Sequence, residues 1–88
     1  MKIILSPRAE KSFRKLPKTT QIIIARKIGQ IGDSKEVSGE EKLKGYKNIY
    51  RVRLGDYRIV YRKILQELYI ILIGQRKDIY KLLDRLFG

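Results

Sequence analysis

The 88-residue chain sets 21 lysines and arginines against 9 acidic residues, a formal net charge of +12, with 43% hydrophobic residues and neither cysteine nor histidine. A chain of this length makes one domain, 1–88, that buries only about 60 to 65% of its unfolded surface, so its core is thin. Disulfide frameworks, thiolate sites and paired-imidazole catalysis are excluded, no apolar run approaches the roughly 18 residues of a membrane span, and the self-repulsion points to a polyanionic partner.

Lys2 to Leu5 is a short apolar strand, and "MKIIL" is too short for a secretory h-region, so a soluble cytoplasmic protein is expected. Ser6-Pro7 combines a helix-capping hydroxyl with a proline suited to the first turn. Ala9, Phe13 and Leu16 then fall at i, i+4 and i+7, one buried stripe, before Pro17 interrupts. A second helix is expected from Lys18 to Ile31, with Ile24, Ile28 and Ile31 on one face and Gly32 as its stop. Residues 33–42, polar and without period, predict a surface loop. Three strands follow in a meander: Leu43 to Leu54, Tyr57 to Ile64 and the apolar run Leu68 to Gly74. Ile79, Leu82, Leu83 and Leu86 recur at i, i+3, i+4 and i+7, an amphipathic closing helix capped by Asp78. The fold class is therefore α+β, a small antiparallel sheet packed against an N-terminal helical hairpin, with a short C-terminal helix.

The stretch "YRVRLGDYRIVYR", Tyr50 to Arg62, places arginines in the best strand-forming part of the chain. Gly55-Asp56 has the length and glycine-first chemistry of a type II′ turn. That turn sets Leu54 opposite Tyr57, Arg53 opposite Arg58 and Tyr50 opposite Tyr61. Period-two alternation gives Tyr50, Val52, Leu54, Tyr57, Ile59 and Tyr61 to one face, and Arg51, Arg53, Arg58, Val60 and Arg62 to the other. The first face is expected to be core. The second reads as a cation cluster, either a solvated face with wet guanidinium heads or a phosphate clamp, because guanidinium forks bind phosphate bidentately and stay charged.

"LKGYKNIYRVRLGDYRIVYR", followed by "LYIILIGQRKDIYKLL", resembles the RelE branch of the RelE/ParE toxins of bacterial and archaeal toxin-antitoxin modules. The likeness runs over nearly the whole chain. It implies a metal-independent and cofactor-free endoribonuclease, an mRNA interferase that cuts messenger RNA in the ribosomal A site through the 2′-hydroxyl. The paired basic residues of the family's first hairpin strand fall on Arg51 and Arg53, its second-strand arginine on Arg58, its arginine after the last strand on Arg76, and its tyrosine of the last helix on Tyr80. In the best-studied branch the first pair is lysine, one of them proposed as general base; both are arginine here. Lys44, Lys47, Arg62 and Lys77 are the further RNA-binding candidates, and the exposed basic side of the first helix, from Arg8 to Lys18, is a possible ribosomal RNA contact.

Cleavage through the 2′-hydroxyl needs a proton acceptor, charge stabilisation at phosphorus and a proton for the departing 5′-oxygen. Arg53 and Arg58 are expected to clamp the phosphate in a solvent-open hollow, Arg76 to reach the leaving oxygen, and Tyr80 to stack on a base or orient the nucleophile. Arginine is a poor base, so the group that takes the 2′ proton stays open. The resemblance also implies a cognate antitoxin; the basic surface suits an acidic, amphipathic peptide, and the last helix, held by only a few leucines, is expected to be able to shift when it binds. Two other readings compete: a ParE-like gyrase inhibitor, and a catalytically weak RNA- or ribosome-binding homologue.

Overall fold

The computed structural model describes residues 1–34 and 37–87, the side chain of residue 87 excepted. In chain order the elements are β1 (Lys2–Leu5), α1 (Pro7–Arg14), α2 (Lys18–Asp33), β2 (Glu40–Lys42), β3 (Ile49–Leu54), β4 (Tyr57–Ile64), β5 (Glu67–Gln75) and α3 (Arg76–Phe87). The strands form one sheet in the order β1-β5-β4-β3-β2. The β2 to β5 pairs are antiparallel, whereas β1 lies parallel to β5 after the helical crossover. This is the α+β arrangement that the alternation of periods predicts.

Ser6 begins α1 as expected, its Oγ accepting the Ala9 N–H at 3.0 Å. The same hydroxyl donates to the Ile71 carbonyl at 2.7 Å. Ile71 is the residue skipped where β4 and β5 slip register, Val60 facing Leu72 and Tyr61 facing Ile70. A bulged residue leaves the ladder without its partner. Ser6 thus caps a helix and satisfies a bulge carbonyl with one oxygen. At the other end of α1, the Gln21 amide donates to the carbonyls of Phe13, Leu16 and Arg14 at 3.0, 3.2 and 3.3 Å, filling acceptors that a helix terminus leaves open.

Three boundaries differ from the sequence reading. The helix α2 runs through Gly32 to Asp33, with Ser34 as its C-cap. Gly32 is a site of close packing, where an added Cβ would meet Ile3 at 3.5 Å and Leu68 at 3.9 Å. Within the expected loop 33–42, Glu40–Lys42 pair with β3 as a short edge strand, while positions 35 and 36 lie outside the described residues. Conversely, β3 starts at Ile49 rather than Leu43, because Gly45 (φ 83°) and Asn48 (φ 60°) adopt left-handed conformations that no strand continues. Finally α3 starts at Arg76, so Asp78 sits in its first turn, not at its cap; a carboxylate there still favours the positive end of the helix dipole.

Two hydrophobic clusters lie on opposite sides of the sheet. Val52, Ile59, Tyr61, Leu68, Ile70 and Ile73 pack against Ala9, Ile24, Ile28 and Ile31 of the helical hairpin. On the other side Ile49, Val60, Ile71 and Leu72 pack against Ile79 and Leu83 of α3. The arginine side of the hairpin is therefore itself half core, which corrects the division into one core face and one cation face. The last helix covers one end of that side, and the arginines occupy the rest.

Candidate nucleic-acid interface

The β3-β4 hairpin has the register that its turn demands: Arg53 faces Arg58, Arg51 faces Val60 and Tyr50 faces Tyr61. Gly55 takes φ 62° while Asp56 stays out of the left-handed region, the II′ pattern. Tyr61 is fully buried, and Tyr50 stacks on it with ring centroids 5.9 Å apart. The tyrosines of the hairpin thus serve the core.

Arg58 departs most from the expected open hollow, since it is only 3% exposed. Its Nη1 donates to the carbonyls of Gly55 and Tyr57, both at 3.0 Å, curling the guanidinium back onto the turn. Desolvation lowers its pKa from the ordinary arginine value, and the neighbouring charges of Arg53, Arg51 and Arg76 push the same way, opposed only by Asp56. Four guanidinium groups are therefore within electrostatic reach of one another. The Nε atoms of Arg58 and of Arg51 are buried with no hydrogen-bond partner among the described residues.

Arg51 is held on two sides. Its guanidinium forms an ion pair with Glu41, directly opposite on β2, and lies 5.7 Å from the centroid of the Tyr80 ring. A cation over a tyrosine face is an attractive geometry. The Tyr80 ring, 40% exposed on α3, thus joins the cluster from the helix side. Arg53 is exposed on β3, and Arg76 is exposed at the first position of α3, where its backbone N–H donates to the Asp56 carbonyl at 3.0 Å. That bond pins the start of α3 to the hairpin turn, and Lys77 lines the same small groove with Asp56, Gln75 and Arg76.

The remaining candidates lie apart. Lys44 and Lys47 are exposed on the β2-β3 connection. Arg62, four residues from Arg58 on β4, sits about 13 Å along the strand. It faces Ile49 and lines a separate groove of 420 Å³ with Ser6, Arg8, Tyr69 and Leu86. Sequence reasoning missed Glu41 and Glu40, which engage Arg51 and the Tyr61 hydroxyl respectively. Three polar residues carry no readable period, so only the pairing of β2 with β3 reveals them.

A five-stranded sheet with this order, an N-terminal helical hairpin, a short terminal helix and an arginine-bearing β3-β4 hairpin define a RelE-like toxin fold. The chain belongs to the family described as the ParE toxin of type II toxin-antitoxin systems, parDE, whose model matches residues 3–80. Among solved structures, the isolated Escherichia coli RelE toxin is 26% identical, with 98% of each chain covered and a TM-score of 0.74. The toxin of the intact E. coli RelBE toxin-antitoxin complex is 27% identical over 84% of this chain and 94% of that one, also at 0.74. A Methanococcus jannaschii RelB-RelE complex aligns over 90% and 96% at 24% identity and a TM-score of 0.74, a likeness of fold. No curated protein sequence matches the chain.

Proposed function

We propose that this toxin is a ribosome-dependent endoribonuclease that cleaves messenger RNA through the 2′-hydroxyl, with a cytoplasmic site of action and a cognate antitoxin as its resting partner. The observation that carries the reading is the four-arginine cluster around a nearly buried, incompletely partnered Arg58. Packing like charges into a half-desolvated corner is unfavourable in the free protein, and a phosphodiester dianion-like transition state reverses the sign of that term. Arg53 and Arg76, the exposed members, are the groups that meet the phosphate; Arg58, nearly buried, supplies field from behind. Tyr80 holds Arg51 and offers its open face to a base. Lys77 extends the surface along the RNA backbone on the turn side, and Lys44 and Lys47 extend it on the β2-β3 side.

The antitoxin proposal rests on the complexes of E. coli and M. jannaschii RelE with RelB, and on the charge of +12, which suits an acidic wrapping chain. Because the matching family model is the one described for ParE, gyrase inhibition without RNA cleavage is the second reading. One experiment separates them. Added to translating ribosomes, the toxin is expected to produce new breaks within the A-site codon, and R58A/R76A to lose about 10³-fold or more of that cleavage while retaining antitoxin binding. Loss of DNA supercoiling by gyrase, with ribosomal messenger RNA left intact, would select the second reading.

A further inference from the structure

The arginine cluster contains one carboxylate on an ordered strand. Glu41 stands opposite Arg51 in the β2-β3 ladder, on the arginine side of the sheet, and its carboxylate is bound by the Arg51 guanidinium. The two partners differ in access: the Arg51 side chain is 18% exposed, the Glu41 side chain 63%. Arg51 is thus pinned between Glu41 and the Tyr80 ring with its Nε buried, spent on internal contacts. Glu41 keeps the rest of its lone pairs open to a ligand. Arg53, exposed and two residues along β3 from Arg51, is the diagonal neighbour of Glu41 in the ladder, about 7 to 8 Å away, a gap across which the two side chains can close on one phosphodiester.

We infer that Glu41 is the group that accepts the 2′-hydroxyl proton and that Arg51 is the positioning residue that holds it, an inference that rests on the ribonuclease reading. The guanidinium groups cannot take this proton, because they remain protonated at working pH. An ionised carboxylate is an acceptor only, with lone pairs to spare after one ion pair. As Glu41 takes the proton, the 2′-oxygen bonds to phosphorus and the bond from phosphorus to the 5′-oxygen breaks. The departing 5′-oxygen gains a proton from solvent water, beside Arg76, and Glu41 returns its own proton to solvent. The products are a 2′,3′-cyclic phosphate and a 5′-hydroxyl, with no oxidant, reductant or metal required by the balance. The charged and titratable groups facing this corner are Arg51, paired with the carboxylate, and its diagonal neighbour Arg53 from β3, Tyr80 of α3 over Arg51, and Arg58 of β4 beyond Arg53, while Lys44 and Lys47 follow in the β2-β3 connection. Asp56, the other acid beside the cluster, lies in the hairpin turn next to Arg76, on the far side of Arg53 and Arg58 from Glu41.

The test is single-turnover cleavage on programmed ribosomes, with ribosome binding measured in parallel. Glu41→Gln is expected to lower the cleavage rate by about 10²-fold or more without weakening binding. Glu41→Ala should lose the same activity and recover part of it in added acetate, a rescue that a purely structural carboxylate would not show. Arg51→Lys, which keeps an ion-pair donor, should cleave faster than Arg51→Ala. The exposed acid at the start of β5 serves as control, and Glu67→Gln should cleave like wild type. Wild-type cleavage by Glu41→Gln, with R58A/R76A inactive, overturns the assignment and leaves the nuclease reading standing. Activity lost in Asp56→Asn but kept in Glu41→Gln moves the base to the turn and also overturns it. Wild-type protein that binds ribosomes without cutting sinks both readings together.

Discussion

The two sides of the sheet share the same strands and the same period-two alternation, yet they are closed differently. The helical-hairpin side is covered along its length by α1 and α2, and even its tyrosine hydroxyl, that of Tyr61, finds an internal partner in Glu40. The α3 side is covered over part of its length, where Ile79, Leu82 and Leu83 of α3 and Leu43 and Tyr46 of the β2-β3 connection pack on Ile49, Val60, Ile71 and Leu72. Beyond that lid the strands carry arginines, of which Arg51 and Arg58 have buried Nε atoms with no hydrogen-bond partner among the described residues. On the first side no buried side-chain nitrogen or oxygen among the described residues lacks a hydrogen-bond partner; on the other the Nε atoms of Arg51 and Arg58 do. The contrast separates a region whose polar groups are paired internally from one that, under the proposed function, is completed by a bound phosphate.

The strongest test of that division is Arg58→Met. It should lower messenger RNA cleavage by about 10²- to 10³-fold, while thermal unfolding shows stability unchanged or raised by up to about 1 kcal/mol, since a desolvated, mutually repelled charge is removed. A loss of more than about 2 kcal/mol would instead make the guanidinium a structural pin for the turn. On the opposite side Ile24→Ala, at a fully buried position, should cost about 2 to 5 kcal/mol in denaturant unfolding and leave activity per folded molecule intact. Reduced specific activity in the folded fraction of that variant would show the two sides to be coupled.

A smaller effect is expected at Tyr61. Burial and the bond to Glu40 push its phenol well above the usual 10.0, so the folded state keeps a proton that the unfolded chain loses. Its contribution is complete below pH 10 and declines as pH rises further, by about 1.4 kcal/mol per unit. Tyr61→Phe should lose about 1 kcal/mol near neutrality and flatten this alkaline decline, read from unfolding curves across that range. The smallest change is at the β4-β5 turn, where Leu65 holds φ 47° while 92% exposed. Leu65→Gly should gain about 0.5 kcal/mol by relieving the left-handed backbone, partly offset by the freedom glycine has when unfolded. An unchanged or lower midpoint would mean that the exposed leucine contributes packing at that corner.

The hairpin was legible from the sequence because it is local. A two-residue glycine-first turn fixes which residues oppose each other, and alternation then assigns every side chain to a face, so Arg53 opposite Arg58 followed from thirteen residues. The same holds for Ser6 at the start of α1 and for the stripes of Ile24, Ile28 and Ile31 or Ile79 and Leu83, which are set by short-range periodicity. Glu41, the bulge at Ile71 and the burial of Arg58 depend on chain segments far apart in sequence. A three-residue edge strand has no period to read, and a bulge exists only relative to a partner strand. Depth is likewise a property of the assembled layers: the residues around Arg58 determine that it carries a charge, but only the packing of turn, sheet and α3 decides how little water reaches it. Local sterics and alternation are written residue by residue, whereas dielectric environment and long-range register come into being when the elements meet.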